Sequence, residues 1–191
     1  MSKEIPVRLF ETERLIVRQI TKKDLRELTQ ILSDPDVMRY SVGGVCDEQA
    51  TSRFIDWCLE SYSSRGVGPW ALVEKGTDDL VGFCGIGPEP VGNTEEFNLG
   101  YRLASRFWNR GLATEAAEGV LGYAFEMTSI ESVVVIIEPE HTASLRVAGK
   151  AGFSEYADLE FHGRPVRLYR MNKQGWNALH NDGMRTYFRH Q

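Results

Sequence analysis

The sequence is poor in cysteine: its 191 residues hold three, and no two of them form a CxxC pair. A sparse, odd set argues against a disulfide framework or a zinc cluster, so we expect no metal and a reducing, cytoplasmic environment. No apolar run approaches the roughly 18 residues that a membrane span requires. The first ten residues have no signal-peptide core. A membrane protein is therefore not expected.

A basic surplus is also missing, since 22 Lys and Arg stand against 27 Asp and Glu, a net charge of -5. A duplex nucleic-acid binder of this size would normally be basic, so no nucleic-acid partner is expected. The acidic balance favours a cationic partner molecule. The length and the 42% hydrophobic content suit one packed domain. We place that domain at residues 1–176 and a C-terminal tail of different composition at 177–191.

Hydrophobic patterning predicts a mixed α/β fold. The predicted order is β α α β β β α β α β β, with 87–94 as a loop because it holds two prolines and two glycines. A hairpin around 76–79 implies antiparallel strands. The strand, helix and strand at 95–103, 111–127 and 133–137 imply a parallel pair joined by a crossover. The result is a mixed, mostly antiparallel sheet with helices on its faces.

The most informative segment is the turn at 106–116, where a predicted strand leads directly into a helix. Gly111 and Ala113 are small there, and the first N–H groups of a helix have no internal partner. Together with the helix dipole, this geometry suits a pyrophosphate. A P-loop is excluded because no Lys-Ser/Thr pair follows the glycine, and a GxGxxG turn because its first and last glycines are missing. An ordinary strand-to-helix turn is the alternative interpretation.

This turn resembles the acetyl-CoA loop of the GNAT superfamily of N-acetyltransferases. The sequence from Trp108 to Ala116 reads WNRGLATEA, and Trp108 replaces the usual Gln/Arg, as in the branch similar to acetyltransferases of ribosomal-protein N-termini. Residues 140–153 resemble the family helix N-x-x-S-x-R-V-x-x-K-x-G-F. Ser144 matches that pattern, and His141 replaces its asparagine. The resemblance runs from about residue 12 to 176.

The resemblance implies an enzyme that transfers an acetyl group from acetyl-CoA to a primary amine by direct attack in a ternary complex. It implies a central parallel pair of strands that splay apart around the cofactor. The pantetheine would pair with the first of these strands, and the pyrophosphate would lie on the amides of 109–114. The implied cofactor-binding residues are Tyr101, Arg102, Leu103, Trp108, Asn109, Arg110, Gly111, Leu112, Ala113, Thr114, His141 and Ser144.

Two proton transfers need side chains. The resemblance places the hydroxyl of Ser144 near the leaving CoA sulfur, where it would protonate the thiolate. The general base that deprotonates the amine is open among Glu95, Glu96, His141 and water. Adjacent strand residues point to opposite faces, so one of the two glutamates at most faces the cleft. We prefer Glu96; the alternative is that both are solvated surface carboxylates.

The acceptor is not named by the sequence. Candidates are a peptide or protein N-terminus, an aminoglycoside-like amine, a polyamine or an amino acid, and the loops at 40–48 and 87–94 are expected to line their site. A non-catalytic acyl-CoA-binding regulatory module on the same fold is the alternative function, because fold does not settle function. An exposed strand edge permits a homodimer.

Overall fold

The computed structural model describes residues 6–180. It contains eight strands: β1 (Arg8–Glu11), β2 (Leu15–Gln19), β3 (Pro69–Glu74), β4 (Leu80–Val91), β5 (Thr94–Leu103), β6 (Ser132–Ile137), β7 (Tyr156–Phe161) and β8 (Arg164–Asn172). The α-helices are α1 (Leu25–Leu32), α2 (Pro35–Met38), α3 (Glu48–Arg65), α4 (Leu112–Met127), α5 (Thr142–Lys150) and α6 (Lys173–His180). The strands form one sheet in the order β1-β2-β3-β4-β5-β6-β8-β7.

The sheet is antiparallel except at its centre, where β5 and β6 run parallel. These two strands are in register at a single position, Asn98 opposite Val134. Beyond it β5 continues to Leu103, while β6 pairs along its length with β8. The parallel strands therefore diverge and open a gap in the middle of the sheet. The predicted fold class, including the splayed central pair, is confirmed.

Helix α4 follows β5 and contacts β4 and β5. Helix α4 approaches the N-terminal hairpin, formed by β1 and β2, closely at Gly119. A Cβ added there would lie 2.8 Å from a ring carbon of Phe10 and 3.0 Å from the methyl group of Thr12. A larger residue there would force the Phe10 ring and the Thr12 methyl group to shift. The N-terminal end of the chain therefore supports the helix whose first turn was predicted to bind a pyrophosphate.

The predicted loop at 87–94 is wrong. Strand β4 continues to Val91 and returns through the two residues Gly92 and Asn93 into β5. Pro88 and Pro90 are tolerated because β3 pairs with β4 only as far as Gly85, so beyond that point β4 has no ladder on its other side. A proline there removes an N–H group that no neighbouring strand would use.

Three short elements were absent from the predicted order: β1, α2 and α6. Helix α2 begins directly after Asp34, whose carboxylate accepts a hydrogen bond from the Asp36 N–H at 2.9 Å. Helix α6 carries Trp176, 4% exposed, against Phe125. This helix crosses the expected boundary at residue 176, and residues 181–191 lie outside the described part of the chain. The division into a domain and a tail therefore stays a prediction.

Candidate active site

The turn before α4 presents a row of unpaired backbone amides. Asn109 and Gly111 both have left-handed backbone angles, with φ values of 59° and 78°. The first backbone hydrogen bond of α4 runs from the Glu115 N–H to the Gly111 carbonyl oxygen at 3.1 Å. Within residues 6–180 no group accepts a hydrogen bond from the N–H groups of 109–114. These amides and the positive end of the helix dipole make this turn suitable for binding an anion.

A cavity of about 520 Å³ opens onto this turn. We call it the larger cavity. Eleven of the twelve residues predicted to bind the cofactor line it, namely Tyr101, Arg102, Leu103, Trp108, Asn109, Gly111, Leu112, Ala113, Thr114, His141 and Ser144. The exception is Arg110, whose guanidinium is ion-paired with Glu74. Arg146 and Lys150, one turn apart on α5, also line the cavity and were missed by the cofactor prediction.

Glu115 fixes the turn to the N-terminal hairpin. Its carboxylate accepts hydrogen bonds from the Thr12 hydroxyl at 2.5 Å, the Arg14 N–H at 2.8 Å and the Arg14 Nε at 2.7 Å. Arg14 also donates to the Arg110 carbonyl at 2.7 Å. Burial alone would raise the pKa of Glu115, but these hydrogen bonds outweigh it and lower the pKa. Glu115 therefore holds the turn in position as a carboxylate.

The strand expected to pair with pantetheine has two carbonyls already engaged by side chains. The indole Nε1 of Trp108 donates to the Leu103 carbonyl at 2.8 Å, and Arg102 Nη1 donates to the Tyr101 carbonyl at 2.7 Å. Each carbonyl keeps a second lone pair. The pantetheine contact predicted for this stretch remains a prediction.

A second cavity, about 310 Å³ and called the smaller cavity, lies in the gap between β5 and β6. It carries Glu89 from β4, Asn98 and Gly100 from β5, and the ion pair between Arg164 and Glu138 at 2.7 Å. Residues 40–43 also line it, as expected for the loop at 40–48. Six residues are shared by both cavities: Tyr40, Tyr101, Arg102, His141, Ser144 and Val147. We call these six the junction.

Ser144 is the central hydroxyl of the junction. It is 7% exposed, and its Oγ lies 3.2 Å from His141 Nε2. Burial raises the pKa of the Tyr101 phenol to about 12, and the neighbouring Ser144 hydroxyl opposes that shift. The Tyr40 ring stacks on the His141 ring with centroids 4.0 Å apart. The structure thus brings Ser144 and His141 together.

His141 is neutral near pH 7. Burial is the largest cause of its lowered pKa, and the charges of Arg102 and Arg39 act in the same direction, while Glu138 opposes them. The pKa falls to about 4. A neutral imidazole nitrogen can either donate a hydrogen bond to Ser144 Oγ or accept one from it. With a pKa of about 4, however, His141 is a weak base.

The preferred base, Glu96, does not line either cavity. Its two carboxylate oxygens accept hydrogen bonds from Arg170 at 2.8 and 2.9 Å, and these bonds lower the pKa of Glu96. Glu95 is ion-paired with Arg65 at 2.6 Å and likewise lies outside both cavities. The structure therefore does not bring either predicted glutamate to Ser144.

Glu89 is the carboxylate that the sequence interpretation missed. Burial raises the pKa of Glu89, while the field of His162 and a hydrogen bond from Asn98 oppose that shift. Asn98 Oδ1 is buried and has no hydrogen-bond partner among residues 6–180. Recognition of the β4–β5 hairpin would have revealed this residue, because Glu89 lies opposite Glu96 in the ladder.

Comparison with known proteins identifies the family. A sequence model described as an acetyltransferase (GNAT) domain matches residues 14–154. The chain belongs to the GNAT acetyltransferase family. It is 32% identical over 159 residues to the uncharacterized protein YkkB of Bacillus subtilis, covering 83% of this chain and 92% of YkkB.

Solved GNAT structures agree with this assignment. An acetyltransferase (GNAT family) from Bacillus anthracis is 26% identical, with a TM-score of 0.74, over 86% of this chain and 98% of that chain. A Vibrio cholerae spermidine N-acetyltransferase, solved with CoA and spermine, has a TM-score of 0.71 at 14% identity, over 85% and 97% of the two chains. The second likeness concerns the fold alone. The predicted GNAT resemblance is confirmed.

Among residues 6–180 no group of three or more His, Cys, Asp or Glu side chains could hold a metal ion. Over the same residues, no helix has the length and apolar content needed to cross a membrane.

Proposed function

We propose that this GNAT protein transfers an acetyl group from acetyl-CoA to a primary amine by direct attack in a ternary complex. The observation that carries the proposal is the meeting of two cavities at Ser144. One cavity ends at unpaired amides suited to phosphates, and the other contains the partly buried carboxylate of Glu89. Such an arrangement lets two substrates reach one hydroxyl from opposite sides.

The larger cavity has the chemistry that CoA requires. The amides of 109–114 would hold the pyrophosphate, and Arg146 and Lys150 add positive charge on α5. Gly111 and Ala113 bring no bulky side chain between a phosphate and the main chain. When bound, acetyl-CoA supplies the thioester carbonyl that the amine attacks.

The amine must lose a proton before or during attack, since a primary amine is mostly charged at neutral pH. We propose Glu89 as the base in place of Glu96. Glu89 lies in the smaller cavity, and its raised pKa makes it a better proton acceptor than an exposed glutamate. The unpaired Oδ1 of Asn98 accepts a hydrogen bond from the amine and orients it.

As the carbon–nitrogen bond forms and the carbon–sulfur bond breaks, the leaving thiolate needs a proton donor. Ser144 gives its hydroxyl proton to the sulfur and regains one from water, while His141, whose Nε2 lies 3.2 Å from the serine Oγ, orients the hydroxyl. Glu89 keeps the proton taken from the amine until solvent removes it. The thiol, with a pKa of about 8.5, is released in its protonated form at neutral pH.

The test measures free thiol release from acetyl-CoA with a panel of amines, beside calorimetric binding of CoA. Ser144→Ala should lower kcat by about 100-fold, because general acid catalysis contributes on the order of 10²–10⁴. Its effect on CoA binding should be small. Ser154→Ala is the matched control, an exposed serine outside both cavities.

Two results would contradict the proposal. Tight CoA binding without turnover of any amine would indicate a non-catalytic acyl-CoA-binding module. Absence of CoA binding would contradict both the acetyltransferase and the acyl-CoA-binding module.

A further inference from the structure

The smaller cavity lies in the gap between β5 and β6, and the two faces of the sheet line it differently. Asn98 is opposite Val134 in the parallel ladder, so these two side chains point to one face. Leu99 and Val135, the next residues of the two strands, point to the other face. Both of these line the cavity just beyond the point where the ladder ends.

Helix α5 covers the face to which Leu99 points. Tyr101 alternates with Leu99 at a spacing of two, and its phenol neighbours the Ser144 hydroxyl of α5. Helix α5 also contacts β6 and α4. Apart from Ser144 and Tyr101, the cavity lining from this face and its two helices is apolar; it comprises Leu99, Ala117, Val135, Ile137, Val147, Ala148, Ala151 and Phe153.

The lining from the opposite face is polar. It includes Asn98, the Glu89 carboxylate across from it in the β4–β5 hairpin, and the ion pair between Glu138 and Arg164. An amine that approaches from this face therefore leaves the apolar lining under α5 uncovered. We call that apolar lining the acyl wall.

The acyl wall begins at the proposed proton donor. Ser144, Val147, Ala148 and Ala151 follow one another at intervals of three, one and three residues, the spacing of one helical face. With a rise of 1.5 Å per residue, the wall runs about 10 Å from Ser144 to Ala151. Ala148 and Ala151 are buried and still line the cavity, so their methyl groups leave space where a larger side chain would fill it.

The chemistry of this wall suits a hydrocarbon chain. An apolar cavity offers water few hydrogen-bond partners, so an apolar group enters it at little cost and gains by leaving solvent. An acetyl group held at Ser144 ends in a single methyl group and leaves the wall from Ala148 onward empty.

We infer that the donor substrates include acyl-CoA thioesters with short chains longer than acetyl, such as propionyl-CoA and butyryl-CoA, whose chains lie along Val147, Ala148 and Ala151. This inference rests on the proposed acetyltransferase function and extends its donor class. The bonds change as in acetyl transfer: the carbon–nitrogen bond forms, the carbon–sulfur bond breaks, and the leaving thiolate takes a proton from Ser144. Ala148 is then a residue that determines acyl-chain specificity.

The experiment measures calorimetric binding of CoA, acetyl-CoA, propionyl-CoA and butyryl-CoA to the full chain. We expect Kd to fall by about fourfold for each methylene group added to acetyl-CoA, the usual gain from burying one, and by about tenfold or more for butyryl-CoA. Thiol release is then followed with the amine that reacts fastest with acetyl-CoA. Propionyl-CoA and butyryl-CoA should give kcat/KM at least equal to that of acetyl-CoA, because the chain is bound in the transition state as well.

Variants locate the effect. Ala148→Val places two more methyl groups in the acyl wall and should reduce the ratio of acetyl-CoA Kd to butyryl-CoA Kd by about tenfold, to near one. Ala151→Val fills the wall one turn farther on and should affect butyryl-CoA more than propionyl-CoA. Ala178→Val, at an exposed position of α6 outside both cavities, is the matched control and should keep the wild-type ratio.

The outcomes separate this inference from the proposed function. Butyryl-CoA that binds no more tightly than acetyl-CoA, or a ratio unchanged in Ala148→Val, would overturn the inference and leave the acetyltransferase intact. Tight binding of butyryl-CoA without turnover, beside turnover of acetyl-CoA, would also overturn it. Turnover of no acyl-CoA with any amine would overturn both. If Ala148→Val does not bind CoA, the wild-type chain-length series and Ala151→Val still decide.

Discussion

Exchanging the two candidate bases for glutamine distinguishes them. Glu89→Gln removes a partly buried carboxylate from the smaller cavity, whereas Glu96→Gln removes one that is ion-paired with Arg170 outside it. Glutamine keeps the size of glutamate and one acceptor oxygen but cannot accept the proton. At pH 7 we expect Glu89→Gln to lower kcat/KM by about 10²–10⁴-fold, equivalent to about 3–5 kcal/mol of activation free energy.

The pH dependence supplies a second readout. The carboxylate form of Glu89 is the active one, and burial raises its pKa, so kcat/KM should fall at low pH with a midpoint above the ordinary glutamate value of about 4.3. Glu89→Gln should lose that step. Its deficit should also shrink as pH rises toward 9, because the amine then loses its proton without help.

Glu96→Gln is the control. Arg170 is about half exposed, so solvent screening limits the cost of the broken ion pair to about 0.5 kcal/mol of unfolding free energy. We expect kcat/KM within about threefold of wild type. A hundredfold loss in Glu96→Gln with near-normal Glu89→Gln would refute the reasoning and restore Glu96 as the base.

Two further predictions concern the junction and the sheet. NMR titration should show the His141 ring protonating near pH 4; because this value lies below the unfolded value of about 6.5, stability should fall as pH drops from about 6.5 toward 4, and a midpoint near 6.5 would contradict the structure. Gly85→Ala should destabilise the protein by about 3 kcal/mol or more in urea unfolding, because its Cβ would lie 2.0 Å from the Gly68 carbonyl oxygen. Gly149→Ala, exposed in α5 with nothing within 4 Å, should instead stabilise it by about 0.5–1 kcal/mol, and equal effects of the two substitutions would contradict this packing.

The turn that we propose binds the phosphates could be found from the sequence because the residues that shape it are local. The glycine, the small alanine and the helix start lie within one turn of the chain at 109–114. The residues that line the larger cavity follow from that turn and from the motif around Ser144. Arg110 differs because its direction depends on Glu74, which lies 36 residues away.

The residues of the smaller cavity, where we propose that the acceptor binds, could not be predicted from the sequence because their positions depend on pairing between distant residues. Two prolines made 87–94 look like a loop, although prolines cost little where β4 has no partner on that side. Because this segment was interpreted as a loop, Glu89 was not among the candidate bases. Glu96 has the residue type and strand position of a base, but Arg170, 74 residues later, pairs with it. Neither the free side of β4 nor the pairing of Glu96 with Arg170 could be inferred from the sequence.

The attachment of α4 to the N-terminal hairpin affects where this protein can be shortened. The family match begins at residue 14 and ends at 154. A fragment cut at those limits would lose Thr12, one of the groups that hold Glu115, and all of β8, the antiparallel neighbour of β6. The turn before α4 would lose an anchor, and the inner strand β6 would become an open edge prone to aggregation. Truncations for crystallisation or fusion should therefore keep both flanks.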